Sequence, residues 1–269
     1  STASISYPEA VALVLGAYES FSPTLAEIVH SMIRDKRIDA HPGVGRSTGA
    51  FNCPAILPGN VPACFTFMSY MGTERDVMTL AHELGHAVHG ILAGGAHGAL
   101  MQEAPIALAE TASIFGEMTT FNFLKARRVK EGDKKAVIAI NMGKLSDAMN
   151  SIIRQISFSN FERRIHAVKN RLSVPELNRV WMEVTKELYG DEGVVFTYTD
   201  CEYLWSYIPH FHGPFYVYGY AFGELLTQSL YAVQHKFEKK EFETLYLNLL
   251  RAGSSKEAKK LLKPFGLDP

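Results

Sequence analysis

The sequence predicts a mainly helical protein with a minor β component, organised as a single domain over residues 1–269. Apolar residues recur at helical spacing through most of the chain, whereas one stretch, Ala63 to Tyr70, has the composition of a short strand. A chain of 269 residues can bury one substantial core. Neither a repeat nor a clear linker divides it, so we expect one domain.

The elements follow from local patterns. Two helices are expected between Pro8 and Arg34, the second beginning near Pro23. Glycine and proline dominate the stretch from His41 to Pro62, which we therefore expect to be irregular. Later helices are expected over 101–130, 134–170 and 175–189, followed by an aromatic loop over 205–220 and further helices to the end.

Composition argues against several classes of partner. A formal net charge of −1 and a pI near 6.8 give no basic surface for nucleic acid or an anionic membrane, and we expect neither as a partner. No apolar run is long enough to span a membrane, and the first residues lack a signal-peptide pattern. Cys53, Cys64 and Cys201 form neither a disulfide framework nor a cysteine metal motif, so a cytoplasmic location is expected.

The most informative stretch is the motif HELGH at 82–86. Positions four apart on a helix return to nearly the same face, so His82 and His86 can direct both imidazoles at one cation. Glu83 lies off that axis, where it can act as the general base of a zinc peptidase. A core helix with satisfied histidines is the alternative, but His89 on roughly the same face favours a metal site.

The flanking residues place this motif on one helix. Thr73 can cap it, and three glycines are expected to end it: Gly90, Gly94 and Gly95. The strand from Ala63 to Tyr70 precedes the helix. It is either an exposed edge on which an extended peptide adds as a strand, or an ordinary buried strand.

Three glutamates spaced by seven residues lie in the next helical stretch. Glu103, Glu110 and Glu117 should share one stripe among apolar residues, where an unpaired carboxylate is unfavourable. Either Glu103 or Glu110 could be the third metal ligand, with the other holding the second nitrogen of a ligand histidine. For Glu117 we favour a solvated or salt-bridged position.

The aromatic loop carries two histidines and several tyrosines around glycines. Aromatic density alone usually indicates core packing. Tyrosine hydroxyls and histidine N–H groups are also the donors that stabilise the oxyanion formed when water attacks an amide. The candidates for this role are His210, His212, Tyr216, Tyr218 and Tyr220.

Three segments resemble the M3 family of zinc metallopeptidases, in particular its oligoendopeptidase F branch. They are TLAHELGHAVH (79–89), EAPIALAETAS (103–113) and IPHFHGPFYVYGY (208–220), and GRSTGAF (45–51) adds to the match. The resemblance implies a zincin-like metallopeptidase catalytic domain with a small sheet beside the HExxH helix. It also implies a zinc-dependent endopeptidase that hydrolyses internal bonds of oligopeptides.

The resemblance further implies roles for single residues. One Zn²⁺ per chain is expected on His82, His86 and Glu103, with Glu110 as the hydrogen-bond partner of a ligand histidine and Glu83 as general base. For the oxyanion, the resemblance points to His210 and Tyr220, with Tyr216 and Tyr218 as nearby candidates. His212 stands where the family often has tyrosine.

Length sets this chain apart from the family it resembles. Relatives carry a long helical N-terminal region that closes over the cleft, whereas only about 70 residues precede the metal helix here. We expect this lid to be absent, which makes the chain a fragment, a compact enzyme, or one completed by a second chain or another copy of itself.

The alternatives to a zinc-dependent endopeptidase are a metal-dependent exopeptidase, a non-catalytic peptide-binding module and a metal-independent scaffold. Nitrogen and oxygen ligands also accept cobalt or manganese.

Overall fold

Helices make up most of the computed structural model, which describes residues 4–47 and 49–268. The α-helices in chain order are α1 (Tyr7–Phe21), α2 (Pro23–Arg34), α3 (Glu74–His97), α4 (Ile106–Lys130), α5 (Lys134–Met149), α6 (Gln155–His166), α7 (Val174–Tyr189), α8 (Tyr218–Val233), α9 (Lys239–Arg251) and α10 (Ala258–Leu262). The strands are β1 (Ile38–Asp39), β2 (Phe51–Leu57) and β3 (Val61–Phe67). None of these helices is both long and apolar enough to cross a lipid bilayer.

The first two helices begin as their sequences predict. Ser6 and Glu9 form a capping box at the start of α1, each side chain satisfying a backbone N–H of the other. The Ser22 side chain accepts from the N–H of Leu25, and Pro23 occupies the first turn of α2, where its missing N–H removes no hydrogen bond. Both helices predicted between Pro8 and Arg34 are therefore confirmed.

The stretch predicted to be irregular, 41–62, contains a strand. β2 pairs antiparallel with β3 along its whole length, and β1 pairs parallel with the other side of β3. Pro54 is tolerated in β2 because β2 is an edge strand, where a missing N–H breaks no ladder bond. Gly59 and Asn60 turn the hairpin with φ angles of 82° and 61°. The central strand is thus β3, and the long edge belongs to β2. Thr48 of the GRSTGAF segment lies outside the described residues.

Helix α3 runs seven residues beyond the first glycine that was expected to end it, and stops at His97. The expected end was wrong because these glycines serve close packing. A Cβ on Gly90 would lie 3.1 Å from Pro54, and one on Gly94 would lie 2.8 Å from the Gln102 amide. The helix ends instead at Gly98, whose φ of 74° is disfavoured for other residues.

The central contact of the fold is the crossing of α3 and α4. A Cβ on Gly85 of α3 would lie 2.4 Å from the carbonyl oxygen of Ala112, and one on Gly116 of α4 would lie 2.7 Å from that of Ala81. The Tyr18 hydroxyl of α1 donates to the same Ala81 oxygen at 2.7 Å. The two helix backbones therefore touch, and their facing side chains are forced to meet at the crossing.

Two apolar clusters form the core in the described part of the chain. The larger one packs α1 to α4 with α8, α9 and α10. The smaller one joins α6 and α7 to the aromatic loop through residues that include Phe161, Trp181 and Ile208. The single helical stretch predicted over 134–170 is interrupted by a π-helical turn at 150–154, and α5 before it has no buried residue.

Replacing Gly85 with alanine is expected to lower the free energy of unfolding by about 2 kcal/mol or more, because the new methyl group overlaps the Ala112 oxygen in a close-packed crossing. Urea denaturation in the presence of a chelator measures this loss. The control is Gly143→Ala in α5, where a Cβ meets no atom within 4 Å. We expect it to be at least as stable as the wild type, since alanine favours helix. Equal stability of the two variants would contradict the close crossing.

Candidate metal centre

The two motif histidines meet on the face of α3 that is turned towards α4. His82 and His86 lie one helical turn apart, and their Nε2 atoms are 3.2 Å from each other. Both side chains are largely buried, with 21% and 23% of their surface exposed. Both imidazoles therefore point towards one position, as the spacing of the motif predicts.

A carboxylate from α4 completes a set of three metal-ligating atoms. Glu110 Oε2 lies 3.4 Å from His82 Nε2 and 3.5 Å from His86 Nε2. A tetrahedral zinc ion with bonds of about 2.0–2.1 Å holds its ligand atoms roughly 3.3 Å apart. The three separations match this spacing, so the donor set fits zinc. Over 4–47 and 49–268, no other group of three His, Cys, Asp or Glu side chains is placed to hold a metal ion.

The structure places a different glutamate beside the two histidines from the one that the resemblance implies, and the ligand assignment stays a prediction. Glu103, predicted as the third ligand, is exposed in the segment before α4 and is not part of the set. The physical reason is that α4 begins after Pro105, so Glu103 is not on the helical face that crosses α3. Glu110, predicted to support a ligand histidine, lies instead where the third ligand was expected.

Glu117 has the supporting position that was expected for Glu110. Its Oε1 lies 2.6 Å from His82 Nδ1, which orients the ring and leaves Nε2 facing His86 and Glu110. Burial alone lowers the pKa of His82, but the hydrogen bond and charge of Glu117 raise it to about 9. Sequence reasoning favoured a solvated or salt-bridged position for Glu117. Glu117 lies seven residues after Glu110, and this spacing puts both glutamates on the face of α4 towards α3. This spacing was the sequence feature that could have indicated its contact with His82.

Glu83 lies beside this set with only 6% of its surface exposed. Burial raises its pKa, while the neighbouring imidazoles of His82 and His86 oppose that shift. The side-chain amide of Asn52, on β2, donates to the Glu83 carboxylate and also to the Glu83 backbone oxygen at 2.8 Å. Asn52 was not among the sequence candidates, because no motif marks it.

Burial and the neighbouring polar side chains have opposite effects on the pKa of Glu110. The side chain is almost fully buried, which opposes ionisation, but the imidazoles of His86 and His82 and the Tyr216 hydroxyl together lower its pKa. Tyr216 donates to Glu110 Oε1 at 2.5 Å. One carboxylate oxygen is thus bound by the tyrosine, and the other faces the two histidines.

The aromatic loop brings three of its five candidates to the site. Tyr216 contacts Glu110, and His210 Nε2 lies 2.9 Å from the Tyr220 hydroxyl. Burial raises the pKa of both tyrosines, and the charge of Glu110 adds to that shift, so both keep their protons. His212 and Tyr218 are exposed, and in the described part of the chain neither contacts the histidine and glutamate side chains.

Two further residues define the limits of the site. His89, which was expected to share the metal face, is buried outside the ligand set, and burial lowers its pKa to about 4. Glu162 of α6 accepts the N–H of Phe215 at 2.9 Å, and Phe215 has a φ of 66°. This buried carboxylate fixes the loop one residue before Tyr216.

Comparison with known proteins supports the family expected from the motifs. Residues 18–269 match the profile of Peptidase family M3. Oligopeptidase PepF of Bacillus subtilis (strain 168) is 29% identical over 267 residues, which cover 98% of this chain and 38% of that protein. The chromosomal oligoendopeptidase F of Lactococcus lactis subsp. cremoris is 29% identical over 253 residues, which cover 93% of this chain and 40% of that protein.

Solved structures share the fold. Pz peptidase A, solved with an inhibitor, superposes with a TM-score of 0.79 at 20% identity, over 97% of this chain and 45% of that one. Oligoendopeptidase-F from Enterococcus faecium superposes with a TM-score of 0.58 at 21% identity, over 98% of this chain and 39% of that one. The predicted mainly helical, zincin-like fold with a small sheet is thereby confirmed. The chain spans about two fifths of the length of the two sequence relatives. Because the family profile covers nearly all of the sequence, the chain belongs to peptidase family M3.

Proposed function

We propose that this chain is the catalytic part of a zinc-dependent endopeptidase that hydrolyses internal bonds of oligopeptides. The observation that carries the proposal is the triangle of His82 Nε2, His86 Nε2 and Glu110 Oε2, with edges of 3.2, 3.4 and 3.5 Å, beside the buried carboxylate of Glu83. The names of the relatives, oligopeptidase and oligoendopeptidase F, support peptides as the substrate class.

In this proposal His82, His86 and Glu110 hold one zinc ion. When bound, zinc supplies Lewis-acid chemistry, lowering the pKa of water to about 7 and polarising a carbonyl group. Glu117 keeps the proton of His82 on Nδ1, so that Nε2 presents its lone pair to the metal position. Tyr216 restrains Glu110 from the opposite side.

Glu83 acts as the general base. Its carboxylate takes a proton from the attacking water and passes it to the nitrogen of the leaving amine. The burial of Glu83 suits both transfers, because a raised pKa makes the carboxylate a better base and its conjugate acid easier to form near neutral pH.

His210 and Tyr220 stabilise the charge that develops on the substrate oxygen. The pair is pre-oriented by its mutual contact of 2.9 Å, and Tyr220 keeps its proton because its pKa is raised by burial. Hydrogen-bond donors that are already in place need no reorganisation during the reaction. His212 and Tyr218 stay predictions for this role from the sequence, and both side chains are exposed.

The expected location and partners of the protein stay predictions. The unpaired state of Cys53, Cys64 and Cys201 is consistent with the expected cytoplasmic location. Completion of the cleft by a second chain or another copy is a further prediction, as is the expectation that neither nucleic acid nor membrane is a partner.

Turnover is the first test of the proposed function. Wild-type protein loaded with zinc should cleave an internally quenched peptide blocked at both ends, and Glu83→Gln should lose on the order of 10²–10⁴-fold in kcat because it cannot accept the proton. Zinc content, measured by atomic absorption, should be the same in both proteins. Cleavage that requires a free terminus would favour an exopeptidase. Equal rates for the two zinc-loaded proteins would exclude Glu83 as the base.

A second prediction separates the two ligand assignments. Glu110→Ala should weaken zinc binding by more than about 100-fold, the upper end of the effect of losing an outer partner. Glu103→Ala, the matched control, should bind zinc like the wild type because Glu103 is exposed and outside the ligand set. Competition with a fluorescent chelator measures both affinities. The reverse ranking would restore Glu103 as the ligand.

A third prediction concerns the pH dependence of the metal-free protein. The folded protein raises the pKa of His82 from 6.5 to about 9, so the stability gained from its contact with Glu117 is fully present below pH 6.5 and is lost as the pH rises through about 9. Urea denaturation with a chelator at about pH 6 and about pH 10 measures this loss. In Glu117→Gln the loss should be smaller, because the amide cannot stabilise the imidazolium by charge. The same loss in both proteins would contradict the role given to Glu117.

A further inference from the structure

Asn52 makes four contacts that connect the sheet to the candidate general base. Its Nδ2 donates to Glu83 Oε2 and to the Glu83 backbone oxygen, the latter at 2.8 Å. Its Oδ1 accepts from the Thr66 hydroxyl at 2.6 Å and from the Cys64 thiol at 3.4 Å. Every polar atom of this amide is therefore engaged.

The contacts on β3 fix which end of the amide faces Glu83. Thr66 and Cys64 are buried, with 2% and 0% of their surface exposed, and both act as donors to Oδ1. Burial raises the pKa of Cys64 to about 12, so its thiol keeps its proton. A flipped amide would direct Oδ1 at two acceptor oxygens of Glu83 and lose both bonds to that residue. The NH₂ group is thus committed to Glu83.

The position of Asn52 on β2 restrains the contact between its amide and Glu83. Asn52 and Thr66 are direct partners in the antiparallel register of β2 and β3, so backbone hydrogen bonds of the hairpin set their separation. The amide also contacts both the backbone and the side chain of Glu83, which limits rotation of the carboxylate relative to α3. One oxygen of Glu83 is held, and the other is left for the reacting water.

We propose that Asn52 is a positioning residue that holds the Glu83 carboxylate in the orientation from which its free oxygen takes the proton. The inference rests on the proposed function of Glu83 and adds a requirement to it. A small misplacement of a reacting group lowers rates steeply. Loss of the amide should therefore slow the chemical step without changing the affinity for peptide or zinc.

The kinetic experiment uses Asn52→Ala and Asn52→Asp in the full chain. Alanine removes the hold, and aspartate keeps the shape but places a second carboxylate against Glu83. We expect kcat to fall by about ten- to a hundredfold in both, with KM within about twofold of wild type and unchanged zinc content. The control is Asn141→Ala in α5, which removes another half-buried asparagine, one whose Nδ2 donates to the Val137 oxygen of the same helix at 2.8 Å. It should keep wild-type kcat.

A second readout does not depend on activity. In ¹H–¹⁵N spectra of the metal-free protein, the side-chain amide signals of Asn52 are identified by their absence in Asn52→Asp, and Glu83→Ala should shift them. Asn141 signals should stay in place. Unmoved Asn52 signals would overturn the contact itself.

The outcomes separate this inference from the proposed function. Wild-type kcat in Asn52→Ala, or a fall that follows loss of zinc, would overturn the positioning role. A zinc-loaded wild type that cleaves no peptide would refute the proposed function, and the positioning role would fall with it. The spectra would still show whether Asn52 holds Glu83.

Discussion

The candidate site depends on the close approach of two helix backbones. Gly85 and Gly116 lie at the crossing of α3 and α4, where a methyl group on either would overlap a carbonyl oxygen of the other helix. At this distance, side chains on the face of α4 that is turned towards α3 reach across to it. Glu110 and Glu117 therefore meet opposite sides of His82, one at Nε2 and the other at Nδ1. The single glycine of HELGH, Gly85, is thus a packing residue placed between the two motif histidines.

The same kind of contact brings in the third helix. A Cβ on Gly219 of α8 would lie 3.0 Å from the Ile106 oxygen, and one on Gly223 would lie 2.9 Å from Glu110 Cβ. Close packing of α8 on α4 carries Tyr220 and the adjoining loop to the carboxylate. The sheet supplies the remaining side through β2. Three directions of approach, from α4, α8 and β2, therefore converge on one turn of α3.

Much of this arrangement could be predicted from local sequence, and some could not. The HELGH spacing determined the direction of two imidazoles, since helical periodicity alone decides it. The choice among three glutamates seven residues apart could not be made that way. All three would share a stripe if one helix contained them, but α4 begins after Pro105 and leaves Glu103 outside it. The crossing of α4 with α3 then decides which glutamate reaches the histidines. For this reason Glu110, and not the expected Glu103, lies beside the histidines in the structure.

The missed strand has a similar explanation. β2 contains Pro54 and is followed by a glycine turn, so its composition indicated a loop, while its strand character comes from pairing with β3. Asn52 was missed with it. Its importance lies in contacts to residues 12, 14 and 31 positions away, and no local pattern reports such contacts.

Helix α5 forms part of the wall of a cavity beside the candidate site. It has no buried residue, yet Ala139, Ile140 and Gly143 line a cavity of about 800 Å³ that Glu117 also lines. Elements with little buried apolar surface open at low free energy, independently of global unfolding. Brief detachment of α5 would therefore widen the access of water to the Glu117 side of His82. Helix α5 is therefore a wall of this cavity that can open while the crossing of α3 and α4 stays folded.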